Sequence, residues 1–382
     1  MLYFVNPKQP KINYPSIMDI ITGNVPTVIS TASPGSTVTY KRVSSEKAPC
    51  KNDFDKTAFL TAISAFNLST EKLRKIPRQE LYNTFYIPKK TGGLRTNNAP
   101  NEDLSNALKM LRTIFSQYVG DYFHHAAAHA YVKNRSNRTA VEVHQKAKSK
   151  WFVKFDFSDF FGSTTLDFVI EMCARIYPMN IVVSTRKGRD ELRKALELCF
   201  LNGGLPQGTQ MSPFLTNLMM IPIDHEILAY AAKQSPHLVY TRYADDITIS
   251  CASQFDYVTV ERAINGILSN FNAPFKIKPE KTHYGSSSGR NWILGLMLNK
   301  ENEITVGHDK KKHFKAMLCN YINDYKSGNF WEYDDVRKLL GLYSYYHSIE
   351  GEYIDYIIEK YNSKFGADVM TFIKSQLRGE IK

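Results

Sequence analysis

Two acidic clusters interrupt otherwise apolar segments of this 382-residue chain, and carboxylates are the side chains that bind hard metal ions. Asp156 and Asp159 lie within FVKFDFSDFF, and Asp245 and Asp246 lie within YADDITIS. A carboxylate in an apolar strand is costly unless it is paired or metal-bound. Either cluster alone is typical of a solvated turn. Together, Asp156, Asp245 and Asp246 could hold two Mg²⁺ ions roughly 3.5 to 4 Å apart, the arrangement that performs nucleotidyl transfer.

The segments around these acids predict the strands and turns that would bring them together. Residues 151–161 have the pattern of a short apolar strand, and residues 237–251 predict two strands that turn at the second acidic pair. Between them, GGLPQGTQMSP predicts a tight turn that opens one helix over 214–230. Further strands are expected at 275–284 and 292–299, and further helices at 166–175 and 190–199.

The flanking regions have their own patterns. Short amphipathic helices are expected over 54–81, followed by a β-hairpin at 82–100 with a basic turn and a helix capped by Asn101 or Asp103. Apolar residues at helical spacing beyond 307 predict a helical C-terminal subdomain. Residues 1–55 are rich in proline, serine and threonine, which favours an irregular arm.

Composition indicates the kind of partner and excludes some classes of protein. A net charge of +12 with 13% aromatic residues favours a polyanionic partner, because cations neutralise phosphates and aromatic rings stack on bases. Five scattered cysteines without a CxxC pair indicate ordinary thiols. No apolar run is long enough to span a bilayer, and the N-terminus lacks the pattern of a secretory signal. We therefore expect a cytoplasmic protein with no membrane partner.

The order of these motifs resembles that of reverse transcriptases. YADD resembles the YxDD hairpin of that family, FDFSDFF its palm strand, LPQG…SP its nucleotide-supporting turn and IPKKTGGLR its fingers hairpin, while PEKT and ILGLMLN resemble its motif-D lysine and primer grip. The resemblance spans about residues 80–305. It implies an α+β, right-hand polymerase fold: an N-terminal arm (1–55), fingers (56–150), a palm of antiparallel sheet flanked by helices (151–305, with a fingers-like helical insertion at about 167–200) and an α-helical thumb (306–382).

The resemblance also assigns the metal ligands and the general acid. Three carboxylates and one main-chain carbonyl would hold two Mg²⁺ ions, with Mn²⁺ as an alternative: Asp156, Asp245, Asp246 and Phe157. Asp159 is expected to be structural or peripheral. Lys281 lies at the position of a candidate general acid that protonates the departing pyrophosphate, and Lys278 is a close alternative.

Five residues are implied in binding the incoming nucleotide. Lys89 or Lys90 and Arg95 would contact the β- and γ-phosphates, which suit a point charge and a bidentate fork. Gln207 would support the nucleotide. Phe161 lies at the steric-gate position, where an aromatic ring crowds a ribose 2′-hydroxyl, so deoxynucleotides should be preferred. The alternative for the two lysines is a solvated hairpin tip.

Four residues are implied in binding the primer and template. Tyr243 would pack beneath the primer terminus, although a strand tyrosine is by default a core residue. Lys133 and Arg135 would contact template phosphate, or else belong to a solvated basic loop. Gly295 stands where retron enzymes carry the glycine of a VTG motif.

His125 and His129 have the i, i+4 spacing of zinc ligands on a helix. No HExxH glutamate or clear third ligand accompanies them. An ordinary structural role is therefore the preferred interpretation of this pair.

Among reverse transcriptases, the bacterial retron enzymes resemble the chain best. The resemblance to retron enzymes rests on five stretches of sequence: KKTGGLR with NAP, AHAYVKNRS, LPQGTQMSP, YADDITIS and KLLGLYSYYHSIE. The resemblance implies a structured noncoding RNA as template and primer, a branched RNA–DNA product (msDNA), dNTPs as substrates and a separately encoded effector protein in anti-phage defence. RTAVEVHQ fits the NAxxH element of retron enzymes only loosely. Alternatives are another defence-associated or group II intron-like reverse transcriptase, or a non-catalytic RNA-binding scaffold of the same fold.

Overall fold

The computed structural model describes residues 54–88, 92–120, 123–287 and 292–380. The described residues fall into two compact units. The first unit comprises residues 54–136, 153–250 and 255–284, and the second comprises 137–152, 251–254 and 285–380. The predicted N-terminal arm (apart from 54 and 55) and the predicted phosphate ligands Lys89 and Lys90 lie outside the described residues. The predicted fingers, palm and thumb boundaries stay a prediction.

The described elements mix helices with antiparallel strands. In chain order the helices are α1 (Lys56–Ser69), α2 (Glu71–Arg74), α3 (Glu102–Tyr118), α4 (Asn137–Lys146), α5 (Leu166–Cys173), α6 (Met179–Val183), α7 (Arg186–Glu197), α8 (Met211–Met219), α9 (Ile221–Lys233), α10 (Tyr257–Asn270), α11 (His308–Lys326), α12 (Tyr333–Phe365) and α13 (Val369–Leu377). The strands are β1 (Tyr82–Pro88), β2 (Leu94–Pro100), β3 (Trp151–Asp156), β4 (Val239–Tyr243), β5 (Asp246–Cys251), β6 (His283–Ser286), β7 (Trp292–Ile293), β8 (Leu296–Leu298) and β9 (Ile304–Thr305). No helix among them is long and apolar enough to cross a membrane.

A four-stranded sheet with the order β4-β5-β3-β6 positions the acidic residues of the first unit. β4 and β5 form an antiparallel hairpin whose last pair is Tyr243 with Asp246, so the chain turns at the acids as predicted. Helices α8 and α9 supply a largely apolar, buried layer. β1 and β2 form the predicted hairpin, whose basic turn lies outside the described residues. The predicted cap of α3 is Asn101, whose side chain accepts a hydrogen bond from Leu104 N at 3.0 Å.

Several predicted elements were wrong in their extent, and a proline lies at two of these places. The strand expected over 151–161 ends at Asp156, and the strand expected over 292–299 is divided into β7 and β8 by a turn at Leu294 and Gly295. The single helix expected over 214–230 is two helices, α8 and α9, because Pro222 lacks an N–H and lies in the first turn of a new helix that begins at Ile221. The strand expected over 275–284 is interrupted by a 3₁₀ turn at Pro279–Lys281, so only an isolated bridge at Ile277 and the start of β6 retain strand pairing.

The second unit confirms the predicted helical C-terminus. Helices α11, α12 and α13 share a buried cluster with the three-stranded sheet β7-β8-β9. Helix α12 is kinked at Glu350, whose φ of −132° and ψ of 62° are not helical. The Glu350 carboxylate accepts hydrogen bonds from Thr305 Oγ1 at 2.9 Å and Val306 N at 2.8 Å, and it pairs with Lys311 Nζ at 2.5 Å. These contacts hold the kink against β9 and α11.

Candidate active site

The hairpin of β4 and β5 carries two of the predicted metal ligands at its tip. We call Tyr243–Asp246 the catalytic turn. Ala244 has a φ of +58°, a left-handed conformation that lets two residues reverse the chain. The end of β3 lies beside this turn, because Phe157 N donates a hydrogen bond to the Asp245 carbonyl at 3.2 Å. The fold therefore brings Asp156 and Phe157 to the same place as Asp245 and Asp246.

Two lysines converge on the Asp156 carboxylate. Lys281 Nζ lies 2.8 Å from Oδ2, and Lys278 Nζ lies 3.4 Å from Oδ1. The hydrogen bond with Asp156 is the largest of the causes that raise the pKa of Lys281. Asp156 Oδ1 is buried without a hydrogen-bond partner among the described residues. Both candidates for the general acid thus lie at the site, and the choice between them stays open.

The catalytic turn concentrates negative charge. Burial is the largest cause that raises the pKa of Asp245, and the charge of Asp156 adds to it. Asp246 reaches solvent, yet desolvation followed by the charges of Asp245 and Asp156 raises its pKa to about 6, against the opposing charges of Lys281 and Lys154. A bound cation would stabilise the ionised form of these neighbouring carboxylates. Within the described ranges, no three or more carboxylates, imidazoles or thiols are arranged so that together they could hold a metal ion.

A glycine-rich loop places Phe161 and Gln207 near each other. Leu205 N donates to the Phe161 carbonyl at 2.9 Å. Gly204 permits this approach, because a Cβ there would lie 1.9 Å from the Gly162 carbonyl oxygen. Asn98 N donates to the Gln207 carbonyl at 2.8 Å, which attaches the loop to β2. β2 also carries Arg95, an exposed residue three positions earlier.

The residues predicted to bind primer and template occupy different surroundings. Tyr243 is half-buried and pairs with Asp246 across the hairpin. Lys133 is exposed, whereas Arg135 Nη1 donates to the carbonyls of His125, Ala126 and Ala128 at 3.1, 2.8 and 2.5 Å. Those bonds show that Arg135 has a structural role in its own loop. Its contact with template, like that of Lys133, stays a prediction.

Gly295 belongs to the second unit. Together with Leu294 it forms the turn between β7 and β8, with φ values of +52° for Leu294 and +80° for Gly295. Lys310 Nζ donates to the Gly295 carbonyl. The glycine is therefore needed for the turn, and its role in binding RNA stays a prediction.

The histidine pair does not have the geometry that a zinc site on a helix requires. Residues 124–131 are not helical, so His125 and His129 do not share a helix face. Burial is the main cause that lowers the pKa of His125 to about 4 and that of His129 to about 3. Both imidazoles are therefore neutral, one half-buried (His125) and one buried (His129), in keeping with the structural interpretation of the pair.

A buried ion pair behind the catalytic turn was missed from the sequence. Arg242 and Asp224 have fully buried side chains and make two hydrogen bonds of 2.8 Å with each other. Arg242 Nη1 also donates to the Ala244 carbonyl at 3.1 Å, and Nη2 to Asn217 Oδ1 at 3.2 Å. Tyr240 donates its hydroxyl to Asp224 at 2.6 Å. The available signal was a charged residue among apolar neighbours in each of two segments, Arg242 in VYTRY and Asp224 in IPID.

Comparison with known proteins identifies the family. Residues 87–315, more than half of the chain, match the model of the Reverse transcriptase (RNA-dependent DNA polymerase) family. The chain belongs to this family, and it is an RNA-directed DNA polymerase with the predicted α+β, right-hand polymerase fold.

Similar proteins indicate which type of reverse transcriptase this chain is. The chain is 25% identical to the Retron Ec83 reverse transcriptase of Escherichia coli, over 78% of this chain and 91% of that protein. It is 28% identical to the Retron Ec73 reverse transcriptase of Escherichia coli, over 72% and 85%. It is also 28% identical to the Retron Mx162 reverse transcriptase of Myxococcus xanthus, over 74% and 62%. The enzyme is of the retron type, as the sequence motifs predict.

A solved telomerase from Candida albicans, in a complex with a TWJ fragment of telomeric RNA, is 13% identical with a TM-score of 0.45. The match covers 82% of this chain and 59% of that one. A likeness at this level carries no conclusion about the enzyme.

Proposed function

We propose that this reverse transcriptase copies part of a cognate structured noncoding RNA into single-stranded DNA, and that a 2′-hydroxyl of that RNA is the primer. The product would be a branched RNA–DNA hybrid. The observation that carries the proposal is the similarity to retron reverse transcriptases over most of this chain and of two of those proteins. The proposed setting is anti-phage defence together with a separately encoded effector protein, as the resemblance implies.

The proposed chemistry is nucleotidyl transfer with two divalent ions, Mg²⁺ or alternatively Mn²⁺. The site fits such ions because its donors are carboxylate oxygens, and because Asp156 Oδ1 is buried without a hydrogen-bond partner among the described residues, with Lys278 Nζ 3.4 Å away. Burial, followed by the charges of Asp245 and Asp156, also raises the pKa of Asp246. Asp156, Asp245 and Asp246 would hold the ions, with the Phe157 carbonyl as a further ligand. Bound ions would supply Lewis acidity toward the primer hydroxyl and the triphosphate.

The chain's own residues would perform the remaining tasks. Lys281 or Lys278, both at the Asp156 carboxylate, would deliver a proton to the departing pyrophosphate from its ammonium group. Phe161 and Gln207, joined through the glycine-rich loop, would orient the sugar and base of a dNTP. Arg95 on β2 would face its phosphates.

The chemistry is tested with Asp245→Asn and Asp246→Asn. Each variant should lose dNTP incorporation on an RNA template with a DNA primer, and each should bind Mn²⁺ more weakly in electron paramagnetic resonance titrations. The matched control is Asp103→Asn, an exposed acid in the first turn of α3, which should match the wild type in both measurements. Normal incorporation by both aspartate variants would support a non-catalytic scaffold instead.

The retron product is tested by purifying the protein with its nucleic acid. Treatment with RNase and a debranching enzyme should release a short DNA that was joined to RNA through a 2′-linkage. Sequencing of that nucleic acid would identify the template. A DNA product without RNA linkage would contradict the retron proposal while leaving the polymerase chemistry intact.

A further inference from the structure

A cavity of about 260 Å³ in the first unit has walls suited to a flat, polar ligand. One wall is a face of α8, where Gln210, Pro213, Phe214 and Asn217 follow one another at helical spacing. Tyr131 contributes a second wall. The lining therefore combines aromatic rings with the exposed amide of Gln210, which can donate and accept hydrogen bonds, while the buried Asn217 amide is bonded to Ala130 and Arg242.

The cavity also carries positive charge. The Arg112 guanidinium lies 4.3 Å from the centroid of the Phe214 ring, so a cation is held against the aromatic wall. His124 contributes a neutral imidazole, because burial lowers its pKa to about 4. An aromatic, hydrogen-bonding ligand that is attached to an anion would match this set of groups.

Tyr131 is presented to solvent by a tightly held loop. The residue is 61% exposed and has a φ of +58°, a conformation that L side chains rarely adopt. Its backbone is fixed on the preceding side, where Asn217 Nδ2 donates to the Ala130 carbonyl at 2.9 Å and His129 N donates to the Arg242 carbonyl at 2.8 Å. A strained and exposed aromatic residue that surrounding bonds hold in place is a typical feature of functional sites.

The ring also lies within electrostatic reach of the catalytic turn. After desolvation, the charges of Asp245 and Tyr243 are the next causes that raise the pKa of Tyr131, and Arg95 opposes them. The same Asn217 that fixes Ala130 accepts a hydrogen bond from Arg242, which in turn donates to Ala244 in the turn. One buried network thus connects the loop before Tyr131 with the residues that carry the acids.

We propose that Tyr131 provides a stacking surface for a nucleobase at the mouth of the active site, and that the adjoining cavity receives the polar edge of that base. Stacking on an aromatic ring tolerates every base, which suits a polymerase that must copy any sequence. The base could belong to the template or to the incoming nucleotide, and both present the same chemistry. The inference rests on the proposed site of nucleotidyl transfer at Asp245 and Asp246.

The test uses the fluorescence of 2-aminopurine, which stacking quenches. In one arm the fluorescent base is the templating residue of an RNA template annealed to a DNA primer, and in the other it is the base of the incoming triphosphate. Both arms are measured in the full chain with its aspartates intact, on a primer that ends in a 2′,3′-dideoxynucleotide, so that no turnover occurs. The stacking result therefore stands apart from the incorporation assay that tests the catalytic aspartates.

The ring is removed by Tyr131→Asn, because asparagine tolerates a positive φ, and independently by Tyr131→Leu. Tyr131→Phe keeps the ring. Quenching should persist in Tyr131→Phe and fall in both ringless variants, with affinity reduced about 5- to 100-fold in the arm whose base stacks. The matched control is Tyr333→Leu, which alters a 57% exposed tyrosine in the second unit. Wild-type quenching and affinity in both ringless variants, in both arms, would overturn the proposal.

Discussion

At the scale of single residues, Phe161 is predicted to make the enzyme prefer deoxynucleotides over ribonucleotides. Its carbonyl accepts from Leu205 N at 2.9 Å, and its ring meets the Phe160 ring edge-on at 5.6 Å, so the ring has a defined position. If that ring excludes a ribose 2′-hydroxyl, Phe161→Ala should lower the ratio of kcat/KM for dCTP over rCTP by about 10-fold or more. Steady-state incorporation on an RNA template measures the ratio. Phe330→Ala, at an exposed phenylalanine, is the control, and an unchanged ratio in Phe161→Ala would contradict a steric gate.

A second expectation at this scale separates the two lysines on Asp156. Replacing the proton donor by alanine should lower the chemical rate about 10²- to 10⁴-fold, whereas replacing the other lysine removes only a neighbouring charge. Rapid-quench measurement of a single incorporation on Lys281→Ala and Lys278→Ala distinguishes them. Lys276→Ala is the control, because this exposed lysine lies on the same segment. Equal and small effects in both variants would show that neither lysine is the general acid.

At the scale of elements, the Arg242–Asp224 pair joins α9 to the catalytic turn. Arg242→Met leaves Asp224 buried without its cation, so the free energy of unfolding should fall by about 3–5 kcal/mol. The double variant Arg242→Met with Asp224→Leu removes both charges and should recover most of that stability. Its kcat should stay low, because the Ala244 carbonyl has still lost its donor.

Urea denaturation and kcat at saturating dNTP measure the two effects separately. The useful comparison is between the single and double variants, since both lack the guanidinium but only one contains an unpaired buried charge. If kcat recovers together with stability in the double variant, Arg242 contributes to folding alone and does not position the turn.

The elements also show what local sequence patterns can predict. The hairpin at the acids, the cap at Asn101 and the helical C-terminus could each be predicted from residues that are neighbours in the sequence. Two of the errors, at Pro222 and Pro279, arose where apolar spacing continued through a proline. Periodicity reports which face is apolar, whereas a missing N–H decides where an element starts or stops.

At the scale of the whole molecule, the sequence predicted the family and that β3 would lie beside the acidic turn, but not the buried network behind that turn. Asp156, Asp245 and Asp246 were recognisable because acids in apolar strands are unusual and because their motifs occur in a fixed order. Asp224 and Arg242 lie 18 residues apart on a helix and a strand, and only the packing of α9 against β4 makes them partners. Tyr131 was missed for the same reason, since its importance depends on Asn217, far along the chain.

The molecule as a whole should become less stable in mild acid. Burial is the main cause that lowers the pKa of His124 and His125 to about 4 and that of His129 to about 3, below the value of about 6.5 in an unfolded chain. Between about pH 6.5 and 4 these three histidines therefore bind more protons in the unfolded chain, which outweighs the opposite effect of Asp246, whose pKa in the folded chain is raised to about 6. The contribution of these neutral imidazoles to the free energy of unfolding is therefore complete above about pH 6.5, and it is lost as the pH falls through this window.

One histidine variant tests this account. Chemical denaturation at a series of pH values should show a falling free energy of unfolding, and His129→Gln should reduce the slope by up to about 1.4 kcal/mol per pH unit, because one proton fewer distinguishes the two states. His237→Gln, at an exposed histidine, is the matched control. A slope that His129→Gln leaves unchanged would mean that carboxylates, rather than this buried imidazole, set the sensitivity of the fold to acid.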